Sequence, residues 1–218
     1  MTALAPFPTD WQSMLVLMPH PDDPEYGMSA AVAKWTAAGK TVKYVMATYG
    51  EAGIEGMSRA ETATVREAEQ RRSAAIVGVA DVQFWDFPDG ELRDCDELRA
   101  AIAAAIAAAQ PDLVVTIFGG SEWAPGAPNQ RDHIEFAAAV RAVCDRRLFF
   151  NGPNGTHAET VDEFIDLAVD SLAAHEKYLS VLDPKTPVAE QARKQVNATT
   201  PPHPAFGGRR IVEFILCD

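Results

Sequence analysis

Cysteine is scarce in this sequence of 218 residues: Cys95, Cys144 and Cys217 stand far apart, with no CxxC pair. That excludes a disulfide framework and suits a reducing cytoplasm. Basic charge is also short, with 19 Lys and Arg against 31 Asp and Glu, a formal net charge of −12. Contact with phosphate backbones needs a basic stripe, so nucleic acid is not an expected partner, and an anionic membrane surface is disfavoured for the same reason. Long apolar runs are missing too. The longest alanine-rich stretch, Ala100 to Ala109, is about half of the ~20 residues that span a bilayer. Met1 to Asp10 shows no basic region followed by an apolar one, so no secretory signal is read there and the expected location is cytoplasmic. Finally, no GxGxxG follows the first apolar run, which removes the cradle a dinucleotide pyrophosphate would need.

What is present is an apolar content of 47%, enough for a sizeable core. Short continuous apolar runs alternate with helical stripes. Met14 to Met18, Val42 to Thr48, Val82 to Trp85, Leu113 to Phe118 and Leu148 to Phe150 read as buried strands. Between them lie four helical patterns: Met28, Ala31, Val32 and Trp35; Val65, Ala68, Ala75 and Ile76; Leu98, Ile102 and Ile106; and Phe136, Val140, Val143 and Cys144. Gly39 and Gly78 follow the first two where helix C-caps belong. Single helices between unalternating strands predict an α/β, Rossmann-like, doubly wound and mostly parallel sheet flanked by helices. Beyond Phe150, Val161, Phe164, Ala168, Leu172 and His175 predict a C-terminal helix. Pro184 to Gly208, with five prolines, reads as a loop or arm lying over its own body or over a second copy of the chain, and Ile211 to Leu216 as a last strand. The expected organisation is a single domain over 1–218, with 151–218 its extension.

The first strand runs into Pro19-His20-Pro21-Asp22-Asp23-Pro24-Glu25. Open α/β sheets bind ligands at the carboxyl ends of strands, where strand order reverses. An imidazole with a carboxylate three residues on suits a divalent transition metal, Zn²⁺ foremost. A catalytic zinc site uses three protein ligands and leaves a position for water. Adjacent residues point in different directions, so one of Asp22 and Asp23 can ligate while the other faces water as a base. A third ligand should come from a neighbouring strand end. Asn129-Gln130-Arg131-Asp132-His133 after the fourth strand supplies His133 on the helix face turned to the sheet. The alternative reading of His133 is a core histidine. Asp132 is open to two readings, an orienting partner of His133 or a helix N-cap. Arg66 reads as a surface partner of Glu67 or Glu69, or as a pocket residue behind the glycine-rich loop Gly50 to Gly56. His175 reads as packed.

Several of these segments together resemble the LmbE/PIG-L family of zinc-dependent N-acetylglucosaminyl de-N-acetylases: His20-Pro21-Asp22-Asp23, Thr48-x-Gly50-Glu51-x-Gly53, Val65-Arg66-x-x-Glu69, Gly78-Val79, Pro88-Asp89-Gly90, Gln110-Pro111-Asp112 and Asp132-His133. The resemblance covers about Met14 to Val143. It implies Zn²⁺ (or another divalent ion) held by His20, Asp23 and His133, with Asp22 as general base and Glu51, Arg66 and Asp89 reaching an amino-sugar conjugate. One position departs from the family pattern: Gln130 stands where a histidine commonly helps to stabilise the tetrahedral intermediate. Glutamine donates a neutral hydrogen bond but no imidazolium proton. The implied activity is hydrolysis of an N-acetyl group. Cleavage of a larger amide on an aminosugar and non-catalytic sugar binding are the alternatives. The loop Glu122 to Asn129 is expected to shape the pocket.

Overall fold

A computed structural model describes residues 4–217; Met1 to Ala3, the start of the segment read for a leader, and Asp218 lie outside the described residues. In chain order the elements are β1 (Ala5–Pro6), β2 (Ser13–Met18), α1 (Asp23–Gly27), α2 (Ser29–Ala37), β3 (Thr41–Met46), α3 (Arg59–Ile76), β4 (Asp81–Phe84), α4 (Asp96–Ala109) and β5 (Leu113–Ile117). A short hairpin, β6 (Glu122–Ala124) and β7 (Ala127–Pro128), leads to α5 (Arg131–Val143) and β8 (Arg147–Asn151). The chain ends with β9 (His157–Thr160), α6 (Ile165–Ala173), α7 (Glu176–Leu182), α8 (Val188–Thr199), β10 (Pro202–His203) and β11 (Arg209–Leu216).

The main sheet runs β1-β9-β11-β8-β5-β2-β3-β4, with β10 attached to β11. From β4 to β8 all neighbours are parallel. Ranked by sequence these five strands lie in the order 3-2-1-4-5, the doubly wound arrangement, and the order reverses between β2 and β5. Those two strands pair from Met14–Leu113 to Leu17–Thr116. Every residue of β5 is buried, as is β2 from Met14 onward, which is why both read as unbroken apolar runs.

Helix starts follow the local chemistry. Ser58 accepts from the Glu61 N–H at 3.3 Å while the Glu61 carboxylate accepts from the Ser58 N–H at 3.2 Å, a capping box that opens α3. At the other side of the sheet β11 runs antiparallel to both β8 and β9. Phe7 ties that side together: its ring lies 4.8 Å from Trp35, 4.7 Å from Phe149 and 4.8 Å from Phe214, centroid to centroid.

The C-terminal third corrects the sequence reading. Pro184 to Gly208 is not all arm, because α8 occupies its middle and buries Ala192 and Val196. Pro187 stands at its N-cap position, outside the ladder that proline would break. The helix predicted over Val161 to His175 resolves into a 3₁₀ turn followed by α6, and a further helix, α7, begins after it. Among the described residues no helix is long and apolar enough to cross a membrane.

Candidate metal centre and its cleft

The turn after β2 carries His20, Asp22 and Asp23 to the reversal point, and α5 starts beside it from the β5 side. His20 and His133, 113 positions apart in sequence, come within 5.3 Å, ring centroid to centroid. His20 Nδ1 lies 3.4 Å from Asp23 Oδ2 and His133 Nε2 lies 3.2 Å from Asp23 Oδ1. One ligand atom from each of the three buried residues falls within 4.8 Å of the others. Bonds of 2.0–2.1 Å to a tetrahedral zinc place ligands ~3.3 Å apart, so the spacing fits such an ion. His133 Nε2 is a buried nitrogen without a hydrogen-bond partner. Nitrogen and carboxylate thus face each other without an aligned hydrogen bond, an arrangement that a cation between them would satisfy, and two imidazoles with a carboxylate are a donor set suited to Zn²⁺.

The remaining ring nitrogens are held by the protein. His133 Nδ1 is 2.9 Å from Asn129 Oδ1. Asn129 is itself pinned, because its amide donates to Phe118 O at 2.8 Å and Gly120 O at 2.9 Å. His20 Nε2 lies 3.2 Å from both Asp89 Oδ1 and Asp132 Oδ2. These carboxylates are fixed in turn by backbone donors, Ala52 N–H to Asp89 at 2.8 Å and Gly90 N–H to Asp132 at 2.8 Å. The arrangement favours Nε2–H on His20 and Nδ1–H on His133, which leaves His20 Nδ1 and His133 Nε2 as the free lone pairs. His20, Asp89 and Asp132 form a second set within ligand distance, but their backbone hydrogen bonds suit them to orienting His20. Asp132 is thus corrected on both counts: it faces His20 and not His133, and Gln130 occupies the N-cap position of α5.

Charge in this pocket is strongly perturbed. Burial works against a protonated His20, yet Asp132, Asp23 and Asp89 outweigh it and push its pKa well up, so a metal at Nδ1 would have to displace a proton to reach that lone pair. Burial would raise Asp23, but His133 and His20 hold it below the usual carboxylate range. Asp22 goes the other way: burial lifts it to about 6, against the pull of Arg66 and with a push from Asp23. Neighbouring aspartates are thereby driven apart, a pattern typical of acid–base sites.

Asp22 sits in left-handed backbone, φ 80°, and the structure secures it from beneath. Its N–H donates to Gln70 Oε1 at 2.7 Å, and Gln70 Nε2 donates to both Glu25 oxygens at 3.1 and 3.2 Å. Arg66 Nη2 lies 3.2 Å from Asp22 Oδ2 and donates to Pro21 O at 2.7 Å, while Nη1 donates to Gly50 O at 3.1 Å. A Cβ on Gly50 would lie 2.1 Å from Arg66 Nη1, and one on Gly53 2.6 Å from the same atom. The two glycines of the Thr48–Gly53 loop therefore make room for the guanidinium.

A cleft of about 700 Å³ opens over Asp22, Asp23 and His133, with Gln130 on its wall. Arg66, Glu51 and Asp89 are not among its lining residues. The guanidinium is buried under Asp22 and stacked 4.1 Å from the Tyr178 ring, and Glu51 accepts from the Asp89 N–H at 2.8 Å. From the Glu122 to Asn129 loop, Trp123 reaches the cleft. Sequence reasoning missed Asn129 as a clamp and Tyr26, Asn151, Tyr178 and Gln195 as lining residues. Single polar residues in loops or on short helices leave no periodic signal. His175, read as packed, is fully buried with Nε2 3.5 Å from Glu25.

Fold and site together define a doubly wound α/β protein with a candidate metal centre at its switch point. Residues 15–144 match the PIG-L family model, described as GlcNAc-PI de-N-acetylase, and the chain belongs to that family. It is 35% identical over 126 residues to a diacetylchitobiose deacetylase of Thermococcus kodakarensis, a match covering 56% of this chain and 46% of that protein. The chain therefore spans less than half the length of that relative. A probable N-acetyl-α-D-glucosaminyl L-malate deacetylase 2 of Bacillus anthracis is 26% identical over 181 residues, 74% of this chain and 79% of that one. In structure, N,N′-diacetylchitobiose deacetylase from Pyrococcus horikoshii superposes with a TM-score of 0.78 at 20% identity, covering 95% of this chain and 84% of that one. GalB, the 4-carboxy-2-hydroxymuconate hydratase of Pseudomonas putida, gives 0.69 at 17%, covering 95% and 96%. At such identities the likeness is of fold alone, and the two named reactions differ, so the chemistry has to be argued from the site.

Proposed function

We propose that this protein is a metal-dependent amide hydrolase that removes the acetyl group from an N-acetylglucosamine-type amino-sugar conjugate. The observation that carries the reading is the buried Nε2 of His133, which makes no aligned hydrogen bond and lies 3.2 Å from Asp23 Oδ1 in the cleft, with His20 Nδ1 beside Asp23 and a second carboxylate, Asp22, adjacent. His20, Asp23 and His133 would hold Zn²⁺, which when bound supplies Lewis acidity toward water and an amide carbonyl. The family membership and the named activities of the relatives point to the same substrate class.

Asp22 is the base in this account. It takes a proton from water attacking the acetamide carbonyl and returns it to the departing amine. Burial lifts the Asp22 pKa while Arg66, and a cation at the centre, would pull it down, a balance that keeps the carboxylate able to accept a proton and return it. Gln130, exposed on the cleft wall, offers an amide N–H toward the developing oxyanion. Asn129 holds the His133 ring, and Asp89 and Asp132 hold that of His20.

The test is amine release from N-acetylglucosamine conjugates by zinc-loaded protein, alongside Asp22→Asn. The expected result is turnover in the parent and a loss of about 10²–10⁴-fold in the variant, with metal retained. Equal rates in both would remove Asp22 as base. Release only from bulkier N-acyl sugars would reassign the acyl group, and no release from any would leave a sugar-binding protein.

A further inference from the structure

We infer that the cleft selects uncharged amino-sugar conjugates over those bearing a carboxylate or phosphate, with Glu213 as the discriminating residue. The inference rests on the deacetylase reading and asks which conjugate that site admits. Its basis is the outer wall, built from segments beyond residue 144. Asn151, Tyr178, Gln195 and Glu213 come from β8, α7, α8 and β11, and Tyr26 faces the same cleft from α1.

Protein sites that recognise carboxylates or phosphates do so through Arg or Lys, or through open helix N-termini. Among the described residues that line this cleft there is no lysine and no arginine. Arg66 lies behind the wall, but its guanidinium is committed to Asp22, Pro21 O and Gly50 O and is covered by Tyr178. The N-terminus of α5 opens beside the cleft, but Asp132 in its first turn already supplies an anion there.

The lining does contain three carboxylates, Asp22, Asp23 and Glu213. A divalent cation at the centre would offset the first two and leave Glu213 uncompensated. Glu213 Oε2 accepts from the Gly155 N–H at 2.7 Å, which fixes the side chain in place. A fixed anion in a partly desolvated cleft repels a second anion and tolerates a neutral or amine-bearing group. What the wall offers instead is aromatic surface from Tyr26 and Tyr178 and amide groups from Asn151 and Gln195. These suit a neutral sugar ring with its hydroxyls and acetamides. A volume of about 700 Å³ exceeds what one acetamide needs, so it has room for the group attached to the reacting sugar.

The experiment compares kcat/KM of zinc-loaded protein on N,N′-diacetylchitobiose, which is neutral, and on N-acetylglucosaminyl malate, which is anionic. It is repeated with Glu213→Gln and with Ala198→Lys, which adds a cation at an exposed lining position. Calorimetric affinities of the two deacetylated products for zinc-loaded protein give a readout independent of turnover. The neutral substrate is expected to lead by about tenfold or more. Both variants should narrow that lead, and the chitobiose product, which carries an amine but no anion, should bind more tightly than the malate product. Parity or a preference for the malate conjugate would overturn the selectivity while leaving the deacetylase reading intact. A lead unchanged by both variants would remove Glu213 from the account. Amine release from neither substrate would overturn the reading on which the inference stands.

Discussion

Residues 13–143 and residues 147–216 share one sheet but are assembled differently. The first region is regular: strand, helix and strand repeat in parallel, and the sheet order reverses between β2 and β5. Its regularity brings two distant strand ends together and so places the candidate ligand cluster. The second region adds the parallel strand β8, the strand β11 antiparallel to β8, β9 and β10, and three helices. Its contribution is the outer wall of the cleft. The family match stops at residue 144, close to the same boundary. Geometry that must hold an ion to tenths of an ångström rests on rigid strand ends, whereas the wall that meets a conjugate rests on short helices and loops.

The comparison can be broken most severely from the first region. His133→Ala should cost metal affinity by well over ~100-fold, more than the 10–100-fold typical when only an orienting partner is lost. Metal analysis after dialysis checks this, and unchanged metal content would detach His133 from the centre. Next in size is a change in the second region. Phe214→Ala removes a fully buried ring packed 4.8 Å from Phe7 and 5.6 Å from Trp35. It should cost about 3–5 kcal/mol in denaturant melts, showing that β11 supports the core as well as the wall.

Smaller effects sharpen the picture. Asn129→Ala should lower metal affinity by about 10–100-fold through a loosened His133 ring, read by chelator competition with the fold intact by circular dichroism. Arg131, between Gln130 and Asp132 in the same motif, is 63% exposed in its side chain and pairs with Glu135 at 3.4 Å. Arg131→Ala should change stability by only a few tenths of a kcal/mol, about the worth of an exposed i,i+4 pair. Metal content should stay the same.

How much was legible follows the same division. All five parallel strands announced themselves as apolar runs, and the doubly wound order made β2 and β5 neighbours before any distance was known. That adjacency brings His20 and His133 together, while the choice of Asp23 over Asp22 as ligand comes from the family resemblance. What failed was direction. Asp132 looked like the partner of His133 because the two are consecutive, yet neighbours on a helix point ~100° apart, and Asp132 aims at His20. Helix α8 was hidden because its buried stripe is thin, Ala192 and Val196 among charged and polar residues, with prolines before and after it. Arg66 read equally well as a surface ion-pair residue or a pocket residue, and its contact with Asp22 is a tertiary fact that no spacing encodes.

The most direct test is anomalous diffraction from crystals grown with zinc, paired with metal quantification of the same protein. The account predicts one ion per chain, bonded by His20 Nδ1, one Asp23 oxygen and His133 Nε2, and absent from His133→Ala. A protein that takes up no zinc, or binds it only on the His20 side facing Asp89 and Asp132, would contradict it.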